Sequence, residues 1–205
     1  MNRSYIVSAL AVTALAASAA RAQQAVADSG RPPYNAADVQ FMSGMIDHHA
    51  QAILMAGWAP THGASASVRA LCERIVVGQR DEIALMQRWL RERGLPVPPG
   101  DAGHGHEMAG MDHTGGALMP GMLTPAQLAQ LDAARGTEFD RLFLTFMIQH
   151  HQGAITMVNQ LFASNGATLD DFIFKYASDV NVDQTTEINR MGRMLAALSS
   201  GERSP

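Results

Sequence analysis

The strongest constraint on this chain is that part of it is written twice. Laid on residues 38–55 at an offset of 102, residues 140–157 match at nine of eighteen positions: Asp38/Asp140, Phe41/Phe143, Met45/Met147, Ile46/Ile148, His48/His150, His49/His151, Ala52/Ala154, Ile53/Ile155 and Met55/Met157. A repeated segment implies a fold built from like units that bury one face against each other. Each copy carries a histidine pair, so the repeat has a polar centre. On a helical wheel of roughly 100° per residue, Asp38, Phe41, Met45, His48, His49, Ala52, Met55 and Ala56 fall within about one third of the circumference. The histidines therefore lie on the stripe that faces the core.

The flanking sequence places each copy in a helical hairpin. Asn35 caps a helix, with Asp38 favouring its positive end, and Pro60 stops it just past Trp58. Ser65 or Ser67 caps a second helix, which ends near Arg93 at Gly94-Leu95-Pro96. Arg69, Arg74, Arg80, Arg88, Arg91 and Arg93 are expected on its solvated side. Thr124-Pro125 opens a brief helix to about Arg135. A third long helix over about 137–164 carries the second histidine pair. Thr168, with Asp171 three residues on, opens a fourth that runs to about Ser199. The second and fourth long helices share Q-x-x-E-I-x-x-M, as Gln79, Glu82, Ile83, Met86 and Gln184, Glu187, Ile188, Met191. No alternating strand pattern is visible. Two antiparallel hairpins, residues 35–95 and 124–200, must bury their apolar faces together, and an all-α four-helix bundle is the economical solution. Residues 96–123, rich in Gly and Pro, read as a flexible linker between the halves.

The chain ends bear on location. Residues 1–22 have a basic start, an apolar run from Tyr5 to Ala17, and Ala20-Arg21-Ala22 as a small-residue cleavage site, the pattern of a bacterial secretory signal. Residues 23–34 form a polar lead-in. Cleavage would leave a periplasmic or secreted protein with no inserted membrane segment. It would also remove Arg3 and Arg21, taking the formal charge from −4 to −6, which argues against nucleic acid and anionic membranes as partners. Cys72 is the only cysteine, so packing rather than a disulfide must stabilise the fold.

Thirteen methionines and eight histidines point to metal chemistry. The bundle would bury His48, His49, His150, His151, Gln79, Gln184, Glu82 and Glu187 near mid-helix, and burying polar groups is costly unless each finds a partner or a metal. Two explanations stand side by side. Each Glu can accept a hydrogen bond from a His on the neighbouring helix, making a polar layer that fixes register. Alternatively, the histidines bind a metal with Met45, Met147, Met55 and Met157, while Glu82 and Glu187 join or orient them. Imidazole with thioether suits copper, above all Cu(I), and silver would take the same donors. Zinc leaves the methionines unexplained. A di-iron site needs Glu-x-x-His on two helices, and no long helix here has it. The linker adds His104, His106, Met108, Met111 and His113 as a secondary metal trap by composition. A metal-dependent enzyme on the same bundle is the rival reading. No Ser/His/Asp, Cys/His or phosphate-loop motif points to other chemistry.

These residues also carry a resemblance. F-M-x-x-M-I-x-H-H-x-x-A-I-x-M-A, Q-x-x-E-I-x-x-M-x-x-W-L, M-P-G-M-L-T-P and F-D-R-L-F-L-x-x-M-I-x-H-H-x-G-A-I-x-M closely resemble the domain of unknown function 305 family over residues 35–198. The resemblance implies a ferritin-like four-helix bundle in exported bacterial proteins, with some members implicated in copper binding and tolerance. By position it marks Met45, His48, His49, Met55, Gln79, Glu82, Met86, Met147, His150, His151, Met157, Gln184, Glu187 and Met191.

Overall fold

The structure, a computed structural model, describes residues 32–101 and 118–200. The leader at 1–22 and the linker residues His104, His106, Met108, Met111 and His113 lie outside the described residues. Within them the chain is all-helical: α1 (Ala36–Gly57), α2 (Ala66–Glu92), the short α3 (Pro125–Ala133), α4 (Gly136–Phe162) and α5 (Asp171–Ser200). No described helix is long and apolar enough to cross a membrane.

Local chemistry accounts for the boundaries. Asn35 and Asp38 form a reciprocal capping box at α1, and Thr124 and Gln127 form one at α3 with Pro125 in the first turn. Ser65 caps α2 by accepting from the Val68 amide. At α5 the expected cap, Thr168, is displaced. Asp170 takes that place, with Oδ1 accepting from the Phe172 amide at 2.9 Å, while Thr168 turns into the left-handed region at φ 59°.

The repeated aspartates hold the two halves together. Asp38, fully buried on α1, accepts from the Thr168 amide in the α4–α5 loop at 2.8 Å. Asp140, its counterpart on α4, accepts from the Ser65 amide in the α1–α2 loop at 3.2 Å. Each hairpin thus anchors the turn of the other. One arginine departs from expectation. The side chain of Arg93, placed by pattern on the solvated face, is 6% exposed and paired with buried Asp170. Asp170 also accepts from Trp89 Nε1 at 2.9 Å, and the guanidinium lies 4.1 Å from the Trp89 ring centre. A charge at a helix end is buried here because its partner is buried with it.

α1 packs along α2 and α4 along α5, and the halves meet chiefly through α1 and α4, which run antiparallel. The apolar core accordingly falls into two clusters. One joins Met45 of α1 to Met157 of α4, and the other joins Met55 to Met147. The histidines sit between them.

Two flanks of the linker region are packed. Gln87 Nε2 donates to the carbonyls of Pro98 and Pro99. On the other side, residues 118–123 cross α1 and α4 as a strap. Gln51 imitates a backbone partner for it, accepting from the Leu123 amide at 2.7 Å and donating to the Leu123 carbonyl at 3.1 Å.

Candidate metal centre

His48, His49, His150 and His151 are all at most 1% exposed, as their place on the apolar stripe predicts. Within each pair the two rings do different things. The second histidines, His49 and His151, turn outward to α2 and α5: His49 Nε2 stands 2.6 Å from Glu82 Oε2, and His151 Nε2 stands 2.6 Å from Glu187 Oε2. These glutamates are not core residues. Their side chains are 22% and 23% exposed, so each reaches a buried imidazole from the rim and keeps part of its carboxylate in water. They line a groove between α2 and α5 with Gln79, Gln184, Arg74 and Asp183. The Gln79 and Gln184 oxygens are buried and meet no partner among the described residues.

The first histidines face each other across the α1–α4 contact, with ring centres 3.8 Å apart at 37°. His48 Nε2 is 3.0 Å from the carbonyl of Pro120 in the strap, which leaves its Nδ1 without a partner. Neither ring nitrogen of His150 has a hydrogen bond of normal geometry among the described residues. Burial, reinforced by the neighbouring His49, pushes His48 down to about 3. Burial also holds His150 well below the ordinary histidine value, with His48 the next cause. Both rings are neutral at physiological pH and hold unprotonated lone pairs in an apolar setting.

Met45 and Met147 lie one turn before the histidines, fully buried. Met55 is also fully buried, and Met157 is 8% exposed. Among the described residues, no group of three or more His, Cys, Asp or Glu is arranged to hold a metal ion. The donors buried in and beside this layer are imidazole nitrogen and thioether sulfur. Such donors suit soft ions better than zinc or iron.

Sequence reasoning missed the strap. Its signal was present in Gly153, two residues past His151 and inside α4, where Pro120-Gly121 lies directly against the helix. A Cβ on Gly153 would fall 1.9 Å from the Pro120 carbonyl oxygen and 2.6 Å from Gly121 Cα. Gly121 itself has φ +76°, and Gln149 Nε2 donates to its carbonyl at 3.3 Å. The M-P-G-M run is thus the piece that covers the histidines and supplies the carbonyl on His48.

The sequence profile named "Domain of unknown function (DUF305)" matches residues 38–195, which span both hairpins and the histidine layer. The chain belongs to this family. Several solved structures share the fold. A DUF305 protein from Streptomyces coelicolor, assigned as secreted, is 25% identical with a TM-score of 0.64, over 82% of this chain and 96% of that one. A DUF305 fragment from Deinococcus radiodurans is 29% identical with a TM-score of 0.64, over 80% and 99%. CopM in its Cu(II)-bound form is 27% identical with a TM-score of 0.58, over 78% and 95%, and CopM is also known in Cu(I)-bound and silver-bound forms. An uncharacterized protein of Acanthamoeba polyphaga mimivirus is 36% identical over 58 residues, which amounts to 28% of this chain and 38% of that protein.

Proposed function

We propose that this DUF305 protein binds copper, and silver through the same donors, and sequesters it outside the cytoplasm. The observation that carries the reading is the facing pair His48 and His150, buried between two methionine-lined clusters with His48 Nδ1 and both ring nitrogens of His150 lacking a hydrogen-bond partner among the described residues. Leaving such groups unpaired in an apolar core costs about 1–3 kcal/mol each, a cost that a bound soft cation would relieve. His49 and His151, fixed by Glu82 and Glu187, hold the ends of the layer and its tautomers. CopM, which shares the fold and binds copper and silver, lends support, and the leader-like residues 1–22 fit an extracytoplasmic place. The linker residues His104, His106, Met108, Met111 and His113 form a second, weaker trap.

The core site is tested by titrating metal-free protein with Cu(I) against a chromogenic competitor. His48→Ala combined with His150→Ala should lower the affinity at least a hundredfold, and unchanged affinity and stoichiometry would reject the assignment. The linker has its own test. Replacing His104, His106, Met108, Met111 and His113 together by Ser should reduce the number of ions bound while the tightest site keeps its affinity.

A further inference from the structure

The repeat is broken at one informative place. Gly44 on α1 corresponds at the offset of 102 to Phe146 on α4. Phe146 is 9% exposed and belongs to the cluster at its end of the bundle. At the other end no ring stands in the equivalent position. Instead a cleft of about 200 Å³ opens between α1, α4 and the strap, lined by Gly44, Met119, Met157, Gln40 and Gln160 among others.

Two thioethers converge over this glycine. A Cβ on Gly44 would lie 3.2 Å from Met119 Sδ, a tight approach, and 3.6 Å from Met157 Cε, an ordinary contact, so the ends of both methionines lie over the bare backbone of this glycine. Among the described residues, none that lines the cleft is charged. Holding a divalent ion against neutral donors alone would carry a large desolvation cost, whereas a soft monovalent ion suits a pair of thioethers. The cleft also adjoins the histidine layer. Gly44 is one helical turn before His48, and Met119 directly precedes Pro120, whose carbonyl is 3.0 Å from His48 Nε2.

We propose that Met119 and Met157 form a second soft-metal site over Gly44, which takes Cu(I) or Ag(I) and is separate from the histidine layer. It rests on the soft-metal reading above and adds Met119 as a donor. Its mouth opens to solvent, and its inner side is one turn from His48. An ion arriving on the thioethers therefore has a short path to the imidazoles.

The experiment uses full-length, metal-free protein labelled with ¹³C at the methionine methyl groups and titrated with silver nitrate. The Met119 and Met157 methyl signals, assigned through Met119→Leu and Met157→Leu, should shift together within the first equivalents. Met119→Leu should bind one ion fewer. Gly44→Phe keeps both methionines but puts into the cleft the ring that α4 carries at Phe146, and should weaken this site at least tenfold. The His48→Ala, His150→Ala protein should keep the Met119 shift. Circular dichroism establishes that each variant is folded. If silver moves other signals but leaves Met119 unmoved at saturation, or if Met119→Leu binds as many ions as the parent, the cleft site is wrong and the core reading stands. If silver moves nothing, both fall.

Discussion

At the residue scale, Gly153 shows how an ordinary rule can be inverted by one contact. In an exposed helix interior, Gly→Ala gains about 1 kcal/mol. Here the added methyl meets the Pro120 carbonyl oxygen at 1.9 Å, so either the strap lifts or the helix bends. Overpacking of this kind costs about 1–3 kcal/mol, and the net effect of Gly153→Ala should be destabilising. Urea denaturation checks this, and a gain in midpoint would show that the strap does not bear on α4. Lifting the strap would also take the Pro120 carbonyl off His48, so the same variant should alter copper affinity. The histidines' burial could be read from spacing, because the 3.6-residue period put them on the Phe41–Met45–Ala52 stripe. Which ring faces which could not. The split between His48/His150 and His49/His151 depends on how α1 meets α4, a contact between segments about a hundred residues apart in the chain.

At the element scale, every long helix expected from caps and stops is present, and the boundaries differ by only a few residues. The chain advertised them through local signals such as Asn35, Ser65, Thr124-Pro125 and Gly94-Leu95-Pro96. The misreadings involve long-range partners. Arg93 looks solvated until Asp170, far along the chain, is brought against it. Thr168 looks like a cap until Asp38 draws its amide away. Glu82 and Glu187 looked internal because a wheel cannot say that α2 and α5 leave a groove between them. The residue pair that ties the elements together is Asp38 and Asp140. Replacing Asp38 by Ala strands the Thr168 and Asn35 amides, and Asp140→Ala strands that of Ser65. Each should cost about 1–3 kcal/mol, measured by chemical denaturation. Since the two sites lie at opposite ends of the bundle, the double variant should show the sum to within about 0.5 kcal/mol. A markedly smaller total would mean that the two loops are not held independently.

For the whole molecule, the buried imidazoles set how stability depends on pH. The native pKa of His48 is about 3, and that of His150 is also well below the ordinary 6.5. Between those values the unfolded chain binds protons that the native state does not. Their contribution is therefore fully present above pH 6.5 and is lost as pH falls from 6.5 toward 3, at up to about 1.4 kcal/mol per pH unit for each ring. The urea midpoint of metal-free protein should drop steeply below pH 6, and a flat profile from pH 7 to 5 would contradict the burial of these neutral rings. The reciprocal aspartate ties have a further consequence. Asp38 seeks a loop amide from the other half, and the first hairpin carries both that aspartate and the loop amide of Ser65. Two copies of the first hairpin could satisfy one another in the same way, as a symmetric pair of separate chains. Such a pair would have to place identical residues at both ends: Gly44 twice, Gln51 twice. Joining the halves in one polypeptide removes that obligation. One end can then carry Phe146 and close, while the other keeps Gly44 and opens. A single strap can rest on Gly153 on one side and clasp Gln51 on the other, and the bundle acquires a front and a back that a two-fold dimer could never have.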